Sequence, residues 1–165
     1  MAINEMVALA RSSINQYGVS VQTRLSERLV QIRGDRVQLQ QVLINLILNA
    51  VEAMDSVEVG VRELLISTEQ DQTGVLVAMR DSGPGIDPAH LDRVFDAFYT
   101  TKSGGTGMGL SICRSIIHAH GGKLWAKANE PRGALFQFTL PGTDGELTSL
   151  LQVGHRTSEL RKRIG

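Results

Sequence analysis

The chain has 165 residues, 42% of them hydrophobic, enough for one domain with its own core. Its 17 basic and 17 acidic residues cancel, so bulk charge points to neither nucleic acid nor an anionic membrane. A single cysteine, Cys113, excludes a disulfide framework and fits a reducing, cytoplasmic setting.

Residues 2–16 read as a helix with Ile3, Met6, Val7 and Ala10 on one face, ended by Gly18. Val19, Val21 and the run Leu29 to Ile32 read as short strands. Asp35 is placed to cap the helix Arg36 to Met54, whose apolar residues Val37, Leu39, Val42, Leu43, Leu46, Ile47 and Ala50 cover a wide, buried arc. This longest apolar stretch is broken by Asn45 and Asn49 and falls short of the ~20 residues of a membrane span. The N-terminus shows no basic-then-apolar leader.

Leu64 to Glu69 and Val75 to Arg80 flank a turn at Asp71 to Gly74, which reads as a hairpin. Pro88, after the cap Asp87, opens a short helix through Val94. Residues 96–107 lack periodicity and are rich in glycine and threonine, the composition of a mobile loop. Met108 to His120 reads as a helix stopped by Gly121-Gly122. Lys123 to Asn129 and Ala134 to Leu140 form a second hairpin. Beyond Pro141 the chain turns polar, with two short helices, 147–153 and 157–164, or partial disorder. The expected division is a catalytic unit, residues 1–141, and a tail, 142–165. Hairpins dominate, so the fold class is α+β: a mixed, mainly antiparallel sheet covered by helices on one face, a two-layer sandwich.

Three segments carry chemistry. Asn45 and Asn49 lie one helical turn apart and project side by side, with Gln38, Gln41 and Glu52 extending the polar stripe. Two amide oxygens so placed suit a hard cation, although a solvated stripe or an interhelical hydrogen bond has the same pattern. Asp81 follows a strand and precedes Ser-Gly83-Pro-Gly85. A carboxylate there can accept a hydrogen bond from the exocyclic amine of adenine, and glycines let backbone approach a flat ligand; an ordinary turn with a capping Asp fits too. Gly105-Thr106-Gly107-Met108-Gly109-Leu110-Ser111 opens a helix, where exposed N–H groups favour phosphate. It is neither a Walker loop nor G-x-G-x-x-G. Lys102, just upstream, reads as a phosphate-directed charge or a solvated loop lysine.

From about Gly34 to Pro141 the chain resembles the catalytic and ATP-binding domain of bacterial sensor histidine kinases, in the GHKL superfamily with its Bergerat fold. Asp35 to Met54 resembles the N box, Asp81 to Gly85 the first glycine box, Phe95 to Lys102 the F box and Gly105 to Ser111 the second glycine box. The whole is similar to the nitrogen- and oxygen-sensing subgroup. The resemblance implies ATP and Mg2+ as cofactors, with Asn49 the magnesium ligand and Asn45 assisting at metal or phosphates. It implies that Asp81 reads adenine and that Gly83, Gly85 and Ile86 shape its pocket. Phe95 and Phe98 would anchor a lid, and Thr101, Lys102, Gly105, Thr106, Gly107, Met108, Gly109 and Leu110 would close over the phosphates.

Two departures from the family pattern matter. GHKL enzymes that hydrolyse ATP carry a glutamate where this chain has Asn45, and an amide takes no proton near neutral pH. No residue is therefore expected to act as catalytic base. Many histidine kinases carry a lysine where this chain has Glu52. None of the four histidines sits in an acceptor box of the H-E-[FL]-[RKN]-[NH]-P type. His118 and His120, at a helix end, suit its C-terminal dipole, and Cys113 and Trp125 read as core and strand residues.

The expected function is donation of the γ-phosphoryl of MgATP to a histidine on a separate dimerisation and phosphotransfer hairpin, for relay to a response regulator receiver domain. Neither nucleic acid nor membrane is an expected partner. The alternatives are a non-catalytic nucleotide-binding regulatory module, or a GHKL serine kinase or ATPase.

Overall fold

A computed structural model describes residues 2–27, 31–70 and 73–143. The elements in chain order are α1 (Ala2–Leu9), α2 (Arg11–Gln16), β1 (Ser20–Arg24), α3 (Arg36–Ala53), β2 (Glu63–Gln70), β3 (Gly74–Asp81), α4 (Gly109–Ala119), β4 (Lys123–Ala128) and β5 (Ala134–Pro141). Single 3-10 turns stand at Met54–Ser56 and Pro88–His90.

The five strands form one sheet in the order β1-β2-β3-β5-β4. β1 pairs with β2 in parallel, and the other three pairings are antiparallel. Alternate residues of β5 (Ala134, Phe136, Phe138, Leu140) are buried, as are Leu64, Ile66 and Thr68 of β2. This period of two marks a sheet with one face on the core. The helices supply the other side of that core, α3 through Val42, Leu46, Ile47, Ala50 and Val51, and α4 through Cys113 and Ile117. Truncating a fully buried residue such as Leu46 or Ile47 to alanine costs about 2–5 kcal/mol. This is the expected two-layer α+β architecture. No helix of the described residues is long and apolar enough to cross a membrane.

Asp35 caps α3 by accepting a hydrogen bond from the Gln38 N–H at 3.1 Å. Three expectations change. The N-terminal helix is two helices that meet at Ala10 (ψ −2°), which is buried together with Ile3, Met6 and Ile14. Val37 is 72% exposed, because it lies in the first turn of α3 on the side of the exposed Gln41. The segment after Pro88 makes one 3-10 turn only; the following residues are held by bonds from Arg93 and Val94 N–H to the His90 carbonyl, and Phe95 then drops into the core. In the run Leu29 to Ile32, only Gln31 and Ile32 are described, and Ile32 forms an isolated bridge with Gly142. The helices expected within 147–164 lie outside the described residues.

Candidate functional site

A cavity of about 670 Å3 opens between α3, the end of β3, the loop that precedes α4 and the start of α4. Its volume is that of a small-molecule site. At one end stands Asp81, 3% exposed at the last position of β3. Pairing of β3 with β5 brings Ala134 alongside, and Asp81 Oδ1 accepts from the N–H groups of Gly83 (2.9 Å) and Ala134 (3.1 Å). The Asn129 amide, from the turn between β4 and β5, donates to the Asp81 carbonyl at 2.9 Å. No buried side-chain oxygen among the described residues lacks a partner, so Oδ2, which has none, is the oxygen that reaches the cavity. Burial pushes the Asp81 carboxyl above the ordinary carboxylate range, and the two backbone donors oppose that rise. Gly85, at φ +84°, passes so close to Gly133 that an added Cβ would stand 3.0 Å from its carbonyl oxygen.

At the other end α3 presents Asn45, Asn49 and Glu52 to the cavity; Gln38 and Gln41, on the same stripe, are exposed and lie outside it. The Lys102 ammonium donates to Asn49 Oδ1 at 3.2 Å and to Glu52 Oε2 at 2.8 Å. An amide oxygen and a carboxylate one turn apart thus converge on a single cation. Asn45 also reaches the thiol of Cys113, whose burial pushes it up to about 11, so Cys113 is a core residue and an inert one. α4 begins with no side-chain cap, leaving its first N–H groups at the cavity wall beside Gly109 and Leu110.

The loop between them is pinned at its base. The Phe98 N–H donates to the Gly107 carbonyl at 2.9 Å. Gly107 has φ +69°, and a Cβ there would lie 2.4 Å from the Phe98 carbonyl carbon, so only glycine fits. Phe95 is buried edge-on against Phe136 at 6.1 Å, under the Arg114 guanidinium at 5.5 Å. Phe98 departs from the expected anchor role. Its φ of 67° turns the side chain outward, 76% exposed, and its backbone alone ties the loop.

Asn45, Asn49, Asp81, Gly85, Ile86, Thr101, Lys102, Gly105, Thr106, Gly107, Gly109 and Leu110 all line the cavity. Gly83 stands behind Asp81, while Phe95, Phe98 and Met108 lie outside the lining. Sequence reasoning missed Leu48, Tyr99, Ala134 and Phe136 as wall residues, and gave His90 no place in the site. Tyr99 packs edge-on to His90 at 5.9 Å and under Arg93 at 5.0 Å, forming the rim. The inward parity of β5 was the available signal for Ala134 and Phe136. His120 lies elsewhere: its Nε2 accepts from the Asp35 N–H at 3.0 Å and its Nδ1 faces the Ile116 carbonyl at 2.7 Å, so it ties the ends of α3 and α4.

Known proteins share this fold. Residues 34–144 match the family described as histidine kinase-, DNA gyrase B-, and HSP90-like ATPase. Sensor protein FixL of Bradyrhizobium diazoefficiens is 41% identical over 143 residues, 86% of this chain and 28% of FixL, so the chain spans under a third of that relative's length. The catalytic domain of histidine kinase ThkA is 36% identical with a TM-score of 0.76, covering 87% of this chain and 91% of that one. ThkA solved in complex with response regulator protein TrrA gives 33% identity and a TM-score of 0.72 over 87% of this chain and 40% of that one. The chain belongs to the histidine kinase-, DNA gyrase B- and HSP90-like ATPase family, and shares its fold with the catalytic domains of sensor histidine kinases.

Proposed function

We propose that the chain binds MgATP and donates its γ-phosphoryl to a histidine on a separate dimerisation and acceptor hairpin, for relay to a response regulator receiver domain. The observation that carries the reading is the buried Asp81, with Oδ1 clamped by two backbone donors and Oδ2 turned to the cavity. It is a fixed acceptor for the adenine amine. The triphosphate then runs toward α3, where Asn49 and Lys102 await it, and toward the uncapped start of α4.

Asn49 Oδ1 already faces a cation, so the donor chemistry suits magnesium, which needs few protein oxygens when phosphates supply the rest. Asn49, assisted by Asn45, would hold it, and it would supply charge neutralisation at the β- and γ-phosphates. Thr106, Gly107, Gly109 and Leu110, in the cavity wall, offer backbone N–H groups to the phosphates, and Lys102 adds a point charge. Phosphoryl transfer depends mainly on positioning and electrostatics, so this set suffices for a donor. Asn45 provides no base to activate water, which supports transfer over hydrolysis. The complex of ThkA with a response regulator supports a receiver domain as the downstream partner. This chemistry belongs in the cytoplasm, where ATP is abundant.

The test mixes the chain with a separately produced acceptor hairpin and γ-labelled ATP. Acid-labile label on the hairpin histidine, lost with Asn49→Ala, is expected. Release of labelled phosphate without transfer would contradict the reading.

A further inference from the structure

Lys102 has one ammonium and three claims on it: Asn49, Glu52 and, on the reading above, a phosphate. It takes the first two, at 3.2 and 2.8 Å. It thereby sits on the amide oxygen assigned to magnesium. We propose that Glu52 is a positioning residue that parks Lys102 on Asn49, so that the lid latches itself over the amide oxygen assigned to the metal and MgATP must displace the latch to bind.

The inference rests on the proposed MgATP reading and adds a competing state to it. The geometry favours a latch for three reasons. Asn49 and Glu52 stand at i and i+3 on α3, so their oxygens converge on one point rather than on two. The loop that carries Lys102 is bonded at its base between Phe98 and Gly107, with further turns from Lys102 N–H to Thr100 Oγ1 and from Gly105 N–H to the Lys102 carbonyl. Those bonds hold the loop in shape locally, while the Lys102 head group fastens it across to α3. Both partners are partly exposed, 38% and 45% at the side chain, so the contact is weak enough for a phosphate and a divalent cation to break. On displacement the Lys102 ammonium moves from carboxylate to phosphate, and Asn49 Oδ1 is released to the metal.

The test is Glu52→Gln, alone and combined with Lys102→Met, read by amide hydrogen exchange of residues 99–107 without nucleotide and by calorimetry with MgATP. Glutamine keeps the shape and removes the charge that holds Lys102. Exposed ion pairs are worth little, so the expected gain in MgATP affinity is about 1.4- to 5-fold, shrinking at high salt. Lid exchange should quicken in E52Q. Both effects should vanish in the Lys102→Met background, where there is nothing to park. Unchanged lid exchange in E52Q overturns the latch. Equal tightening in both backgrounds overturns it as well, because Glu52 then acts by repelling phosphate directly. Weaker MgATP binding in both backgrounds makes Glu52 a metal holder and also overturns it. MgATP affinity in Lys102→Met alone that equals that of Glu52→Gln contradicts the phosphate reading of Lys102, and with it the exchange of partners, because both variants free Asn49 and only the first lacks the ammonium. The nucleotide-free exchange data do not depend on that reading, so the two failures are separable.

Discussion

Asp81→Asn is the most informative substitution at the base end of the cavity. The geometry fixes how the new amide must sit. Oδ1 accepts two buried N–H bonds, from Gly83 and Ala134, so the amide oxygen has to take that position. A flip would set Nδ2 against two donors and leave both unsatisfied, at roughly 1–3 kcal/mol each. The NH2 group is therefore forced into the cavity, where it meets the adenine amine as donor to donor. Loss of a hydrogen bond to a charged acceptor amounts to about 1.5–3 kcal/mol, or roughly 10- to 150-fold in ATP affinity. Guanine carries an acceptor at the same position, so GTP should gain on ATP. The folded state should be little affected, because the clamp survives. Asp81→Ala, by contrast, should lower the melting temperature as well as binding, since it strips partners from two buried N–H groups. Calorimetry with MgATP and MgGTP reads both affinities, and a thermal melt reads the fold. An Asp81→Asn chain that binds ATP as wild type does, with unchanged preference over GTP, would refute the adenine assignment.

Asp81 also sets a pH dependence. Its carboxyl is raised in the free chain and binding favours the ionised form, so binding releases a proton, and affinity should fall as pH drops through the raised value. The Asn variant should lack that component; parallel pH profiles for the two chains would contradict it. Asn49→Ala should weaken MgATP far more than metal-free ATP, and equal losses by calorimetry would sink the metal role. Hydrogen exchange across residues 96–108 should slow when a nucleotide with a γ-phosphate analogue is added; identical protection before and after would argue against a lid. The chain alone should not label His118 or His120 from γ-labelled ATP. His120 has both ring nitrogens engaged, and His118 stands about nine residues, roughly 14 Å, along α4 from the phosphate end, far beyond in-line attack. Acid-labile label removed by a His118→Ala and His120→Ala double variant would overturn this.

The helix α3, its Asp35 cap and both hairpins were legible because each depends on local periodicity or turn chemistry. The N-box amides and the two glycine boxes were legible because glycine and asparagine are costly inside elements unless a site requires them. What was not legible depends on register and dihedral angles. The family resemblance makes Phe98 a lid anchor, yet a positive φ turns its side chain to solvent. Asp81 reads as an adenine contact, but its clamp by Ala134 follows from the register of β3 on β5, which no local pattern encodes. Glu52 reads as a lost cation; only the fold shows that it holds the lid lysine. His120 reads as a helix-end residue; its bond to the Asp35 N–H joins positions 85 apart in sequence.

The central claim is that base and phosphates occupy opposite ends of one cavity, with the metal at Asn49. Replacing magnesium by the paramagnetic ion Mn2+ in the ATP complex, and following amide resonances, tests it most directly. Broadening should centre on the Asn49 side chain, Lys102 and the N–H groups of Gly105 to Leu110, with Gly83 and Ala134 at the base end less affected and His118 spared. Broadening centred on Gly83 and Ala134, or spread evenly over the sheet, would contradict the account.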